Sequence, residues 1–277
     1  MKYKLIALDI DGTLNNSNRE ITTKTREALI KVQQSGVKVA LASGRPAPGL
    51  INQAKELMLK DYHGLLISFN GAKVVDATSG ETIFEQTMKL YDAKNVLNHL
   101  KQFNVTSMIN KDNTLVVDNK HGNHVQYEAE ANNLSLIEVS DLEDYIDFNP
   151  CKILVSGEPE YLSLVADKIK EPFKDTLNIY FSAPHYLEIV ANGIDKGNTL
   201  KNLSSRLNIQ QEEMISFGDE ANDLSMISYA GLGVAMGNAT EKVKETANMV
   251  TLSNDEDGIA QALYKIFPDI DFGKYNL

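Results

Sequence analysis

Two aspartates, Asp9 and Asp11, stand two residues apart directly after the apolar run Leu5-Ile6-Ala7-Leu8. Four consecutive apolar residues read as a buried strand, on which side chains two apart point to the same face. That spacing brings both carboxylates to one side, with Ile10 turned away. Like charges held so close repel strongly at low dielectric. Such a pair persists only with a cation between its members, with one member protonated, or with water screening both. Phosphoryl transfer can use the first two. Two plainer readings compete: acidic residues after a strand often open an exposed loop, and Asp-x-Asp-Gly is also part of a calcium loop. The calcium pattern fails on spacing, because Gly12 comes too early in it.

Other chemically capable residues must be brought to this pair by the elements around them. Residues 22–35 carry Ala28, Leu29 and Val32 at helical spacing, with threonines as caps and Gly36 as a stop. Residues 37–42 read as a second buried strand, broken by Ser43-Gly44-Arg45-Pro46. Residues 48–59 are helical in pattern and 65–68 form a third strand. This strand-helix alternation implies a parallel sheet. Residues 74–76 and 82–85 flank Thr78-Ser79-Gly80 as a hairpin. From about residue 91 the texture is mixed, with helices at 93–103 and 161–170 and strands at 114–117, 152–155, 178–181 and 187–190. Beyond Lys196 strict alternation returns: helix 199–207, strand 214–217, helix 222–230, strand 232–236, helix 240–247, strand 249–252, helix 258–267. One sheet is thus interrupted by an α+β insertion. In an open parallel sheet ligands bind beyond the carboxyl ends of the strands. Asp9 and Asp11, Ser43, Asn70, and Asp219, Asn222 and Asp223 all fall at such ends.

Composition narrows the function. At 277 residues the chain exceeds the usual single-core range, so two domains or one domain with an insertion is expected. Its 43% hydrophobic and 23% charged residues are those of an ordinary globular protein. A net charge of -11 argues against a nucleic-acid or membrane-surface partner, both of which reward basic patches. A small anionic substrate would need a locally positive site or a metal ion. Cys151 is the single cysteine, which excludes an intrachain disulfide and a cysteine-rich zinc site and is expected to be a small core residue. The five histidines show no metal-ligand spacing. With no signal-like segment and no run near the roughly 18 apolar residues of a membrane span, the expected location is the cytoplasm.

Taken in order, Asp9-Ile10-Asp11-Gly12-Thr13, Ser43-Gly44-Arg45, Lys196-Gly197 and Gly218-Asp219-Glu220-Ala221-Asn222-Asp223 resemble the four motifs of the haloacid dehalogenase superfamily. The insertion between the second and third motifs, with Ser68-Phe69-Asn70-Gly71-Ala72 and Asn222-Asp223-Leu224-Ser225-Met226, resembles the Cof-like phosphatases with a type IIB cap. The resemblance implies an α/β fold: a Rossmann-like parallel-sheet core (1–83 and 190–277) and an α+β cap (84–189) that closes over the site and selects the leaving group. It also implies a Mg²⁺-dependent phosphatase of small phosphorylated metabolites, sugar phosphates first, acting as a monomer or weak homo-oligomer. Asp9 would be the nucleophile and Asp11 the general acid and base. Asp9, the Asp11 carbonyl and Asp219 would hold Mg²⁺, with Asp223 supporting them or in part touching it. Ser43 and Lys196 would stabilise the transferring phosphoryl group. Gly12, Thr13, Gly44, Arg45, Asn70 and Asn222 complete the expected substrate-binding set, Gly12 by letting the backbone turn sharply near the phosphate.

Each residue alone has a plainer reading: Ser43 as a turn residue, Lys196 as a solvated lysine, Asp219 to Asp223 as an acidic helix start, Arg45 as a surface residue. The chain departs from the subfamily in carrying Ala221 where a Glu commonly precedes Asn222, which touches fine tuning of the site rather than metal binding. Two other functions remain open on the sequence: a sugar-phosphate mutase or phosphotransferase, and a non-catalytic sugar-phosphate sensor. Asp11 argues against the dehalogenase and transport-ATPase branches, and a sensor would need neither Asp9 nor Asp11.

Overall fold

The computed structural model describes residues 2–273. Strand β1 (Leu5–Leu8) is buried along its whole length because both of its faces are apolar: Leu5 and Ala7 pack into one cluster, Ile6 and Leu8 into another. The chain continues through β2 (Lys38–Ala42), β3 (Leu65–Ser68), β4 (Lys73–Asp76) and β5 (Thr82–Glu85). The insertion supplies β6 (Thr106–Lys111), β7 (Thr114–Val117), β8 (Ser135–Glu138), β9 (Ile153–Ser156), β10 (Leu177–Ala183) and β11 (Tyr186–Ala191). The chain then returns with β12 (Met214–Gly218), β13 (Leu232–Ala235) and β14 (Met249–Val250). Two compact units result, one made of the chain up to Phe84 and from Asp195 onward, the other of Glu85–Ile194.

The first unit is an eight-stranded sheet in the order β14-β13-β12-β1-β2-β3-β4-β5. Pairing is parallel from β14 to β3, and the β4–β5 hairpin joins β3 antiparallel. Helices Thr23–Gln34 and Gly258–Ile266 fill the cluster on one face through Leu29, Val32 and Leu263; helix Lys196–Leu207 fills the other through Leu200 and Leu203. After β1 the chain moves outward to β2 and β3, and it later returns on the opposite side as β12. The strand order therefore reverses at β1, and the carboxyl end of β1 is the crevice such sheets offer a ligand.

The second unit is a six-stranded sheet in the order β10-β11-β9-β6-β7-β8, antiparallel except for the parallel β7–β8 pair. Helices Leu90–Leu100 and Pro159–Lys170 cover one face; helix Val125–Ala131 packs on the other against Met108, Leu115 and Leu154. Pattern reading misses β6, β8 and helix Val125–Ala131, because their short mixed sequences carry neither a clean alternation nor a helical stripe. It also ends the insertion at 189, whereas the buried β11 runs on to Ala191 and the division falls after Ile194. Cys151 is half-buried rather than a core residue, its Sγ 4.0 Å from Glu85 Oε1. The rings of His124 and His185 stack with their centroids 3.8 Å apart. Among the described residues no helix is long and apolar enough to cross a membrane.

The second unit also buries an ion pair, Lys152 Nζ to Glu188 Oε1 at 3.1 Å, with the Tyr180 hydroxyl donating to the other Glu188 oxygen. Removing one partner strands a buried charge, so Lys152→Met should destabilise the protein by about 3–5 kcal/mol in urea unfolding, and Lys152→Met with Glu188→Leu should recover most of that loss.

Candidate active site

Asp9 follows β1 and is held by the sheet, its N–H donating to the Phe217 carbonyl on β12 at 3.1 Å. Its side chain is buried, and Lys196 Nζ donates to Asp9 Oδ1 at 2.6 Å. The same ammonium donates to Asp223 Oδ1 at 2.6 Å, and neither Lys196 nor Asp223 has any exposed surface. Lys196 is the first residue of its helix, whose start is set by the Asp195 side chain accepting from Asn198 N. Burial pushes the Asp9 pKa well above the usual aspartate value, the Asp223 carboxylate adds to this, and Lys196 opposes it. Burial would lower the Lys196 pKa, but the Asp223 and Asp9 carboxylates outweigh it and raise it, so the ammonium stays charged.

Asp219 stands beside this group after β12. Thr13 Oγ1 donates to Asp219 Oδ1 at 2.6 Å, tying the turn after β1 to the loop after β12. The approach demands a glycine at position 12, where φ is +88° and a Cβ would lie 2.2 Å from Asp219 Oδ2. Burial raises the Asp219 pKa to about 6 against the Thr13 hydrogen bond.

Asp9, Asp219 and Asp223 offer carboxylate oxygens within 4.8 Å of one another. Three carboxylates against one ammonium leave an excess of negative charge in a buried place, which a divalent cation would offset. The donors are hard oxygens, the set a Mg²⁺-like ion accepts. Both Asp223 oxygens are taken, Oδ1 by Lys196 and Oδ2 by the backbone N–H groups of Asp219 and Glu220 at 2.9 and 3.1 Å. Among the described residues no donor is hydrogen-bonded to Asp9 Oδ2 or Asp219 Oδ2. The residues present therefore fit a metal with Asp9 and Asp219 as its side-chain ligands and Asp223 as their support.

Asp11 is not part of the buried acidic group of Asp9, Asp219 and Asp223. The backbone turns at Ile10, whose carbonyl accepts from Thr13 N and Asn15 N, so the two-residue alternation of a strand stops before Asp11. Its carboxylate, half-exposed at 53%, instead accepts two hydrogen bonds from Arg45, at 2.8 Å from Nε and 2.6 Å from Nη2. Arg45 is thus paired with Asp11 and not free in solvent. Ser43 is buried after β2, and its Oγ accepts from Arg45 N at 3.2 Å. Asn70 adopts a left-handed φ of 55° after β3, donates its N–H to the Ser43 carbonyl, and accepts at Oδ1 from Asn222 Nδ2 at 3.2 Å. Gly44 backs onto the Asn70 amide, which a Cβ there would approach to 3.1 Å. Asn222 and Asp223 belong to a 3-10 turn before helix Leu224–Tyr229, not to the helix itself. Pattern reading missed Asn238, whose Nδ2 donates to the Gly12 carbonyl, and Ser225, whose Oγ accepts from Gly197 N. A polar loop residue such as Asn238 reads as a turn former, and nothing in the spacing of Ser225, on helix Leu224–Tyr229, points back to Gly197.

The sequence profile of the haloacid dehalogenase-like hydrolase family matches residues 6–263. The chain belongs to that family, to its Cof-like group, and is an enzyme of the phosphatase class. It is similar to a haloacid dehalogenase-like hydrolase from Bacteroides thetaiotaomicron, with a TM-score of 0.91 and 38% identity over 96% of this chain and 100% of that one. The HAD subclass IIB sugar phosphatase BT4131 superposes with a TM-score of 0.80 at 28% identity, over 96% of this chain and all of that one. The 5-amino-6-(5-phospho-D-ribitylamino)uracil phosphatase YitU of Bacillus subtilis is 29% identical over 273 residues, 96% of this chain and 98% of that protein.

The Asp219 environment has a measurable consequence in chelator. A carboxyl whose folded pKa is about 6 instead of 3.8 binds its proton more tightly folded than unfolded. Its contribution therefore favours folding at low pH and is lost as pH rises through that interval. Asp219→Asn removes this component, so the variant's melting temperature should gain on the wild type's between pH 4 and pH 6. A constant difference across that range would contradict the assignment.

Proposed function

We propose that the protein is a Mg²⁺-dependent phosphatase of small phosphorylated metabolites, with sugar and polyol phosphates its first substrates, working through an aspartyl phosphate on Asp9. The observation that carries this reading is the environment of Asp9: a buried carboxylate with one oxygen fixed by Lys196 and the other open beside Asp219. The substrate class is supported by two similar proteins, one described as a sugar phosphatase and the other as acting on a phosphoribityl compound.

Asp9, Asp219 and the Asp11 carbonyl are assigned to hold the cation, which when bound neutralises charge on the phosphoryl group. An Asp9 carboxylate oxygen attacks phosphorus while the bond from phosphorus to the ester oxygen breaks, and the departing oxygen takes a proton from Asp11. The Arg45 pair must open before Asp11 can hand over that proton. In the second half Asp11, now a carboxylate, takes a proton from water as the water oxygen bonds to phosphorus. The bond to Asp9 breaks, releasing phosphate. Lys196 keeps Asp9 oriented and offsets charge throughout. Among the described residues the Ser43 hydroxyl accepts only the Arg45 N–H, which leaves its proton for a phosphoryl oxygen. Selection among leaving groups is assigned to the inserted unit.

The test is phosphate release from a panel of phosphorylated sugars, polyols, cofactors and nucleotides, with Mg²⁺ or with chelator. Wild type should turn over sugar or polyol phosphates only with metal, and Asp9→Asn should lose about 10⁴-fold or more. A folded wild type that is inert across the panel would overturn the proposal.

A further inference from the structure

The loop after β13 carries a residue outside every motif already discussed, Asn238. Gly237 brings this loop close to the chain near residue 252: its N–H donates to the Leu252 carbonyl at 3.0 Å, and a Cβ would lie 2.6 Å from Ser253 N. From there the loop reaches both halves of the candidate site. Thr240 N donates to the Asp219 carbonyl at 3.0 Å, and Asn238 Nδ2 donates to the Gly12 carbonyl at 2.8 Å. Asn238 is itself oriented, since its Oδ1 accepts from Asn254 N at 3.0 Å. Asn254 in turn donates from Nδ2 to the Asn15 carbonyl at 2.9 Å.

The segment from Gly12 to Asn15 is therefore held from behind at two carbonyls, by two asparagines bonded to each other. This matters because the turn has little margin. Gly12 sits at positive φ against Asp219, Thr13 must reach Asp219 Oδ1, and Asp11 directly precedes Gly12. The Gly12 carbonyl oxygen belongs to the peptide plane linking Gly12 to Thr13, so its hydrogen bond sets the rotation of that plane. Rotation of the plane would move the Thr13 hydroxyl off Asp219 and change the direction from which Asp11 leaves the backbone.

We propose that Asn238 is a positioning residue for the phosphatase reaction, and that Asn254 orients it. Asn238 touches no reacting atom; it acts through the Gly12 peptide on Thr13 and Asp11. Its own side chain is exposed, so its loss should cost little global stability. The inference rests on the phosphatase reading, and the experiment separates the two.

Asn238→Ala should lower kcat on the best panel substrate by about 10- to 100-fold, the cost of a small misplacement of reacting groups. KM and melting temperature should stay near their wild-type values. Asn238→Ser, which retains a short donor, should fall between wild type and Ala. Independently of turnover, amide exchange should rise at Leu14 and Asn15, whose N–H groups bond the Asp9 and Ile10 carbonyls at 3.2 and 2.8 Å. Unchanged kcat, a rise in KM alone, a fall in melting temperature matching the loss of activity, or unchanged amide exchange would each overturn the assignment. Wild-type turnover in the same assay judges the phosphatase reading, and amide exchange judges Asn238 whatever that turnover proves to be.

Discussion

A single ammonium group, Lys196 Nζ, makes the arrangement of acids possible. Three carboxylates gathered in a buried place would repel one another, and two of them, on Asp9 and Asp223, share this one cation at 2.6 Å each. Such a charge persists in the interior only because its partners are close and themselves satisfied. Asp223 meets that condition fully, with the Asp219 and Glu220 N–H groups on its second oxygen. Asp9 and Asp219 do not, and each keeps an oxygen to offer. The imbalance separates a carboxylate that supports from two that remain available for metal and phosphorus.

The fold supplies this geometry through strand order. Because β12, β1, β2 and β3 are parallel neighbours, their carboxyl ends lie side by side and bring Asp219, Asp9, Ser43 and Asn70 to one edge. Helix Lys196–Leu207 then needs only to begin at the right place. Its Asp195 cap and the bond from Gly197 N to Ser225 Oγ fix that place, so Lys196 emerges from a helix start that is itself pinned.

The parallel core and most of the residues that meet at its strand ends could be read from the sequence, for identifiable reasons. Uninterrupted apolar runs such as Leu5 to Leu8 mark strands buried on both faces, and acids placed right after them have few structural uses. The inserted sheet was harder because Thr106–Lys111 is buried despite its mixed polar sequence, whereas Ser135–Glu138 is a mostly exposed edge strand. The spacing of Asp9 and Asp11 assumes a continuing strand, and the turn at Ile10 ends that strand before Asp11, so the pairing of Asp11 with Arg45 could not be read from it. Asn238 and Asn254 were invisible because their role depends on a carbonyl more than 200 residues away, and backbone acceptors leave no trace in side-chain spacing.

The central claim is that Asp9 forms a covalent bond to phosphorus and that Asp11 is needed to resolve it. The most direct measurement is the mass of Asp11→Asn protein quenched in acid after mixing with Mg²⁺ and the best substrate, followed by peptide mapping. One added phosphoryl group is expected on the peptide containing Asp9, absent when Asp9 is also replaced by Asn. Label on another residue, or label that survives replacement of Asp9, would contradict it.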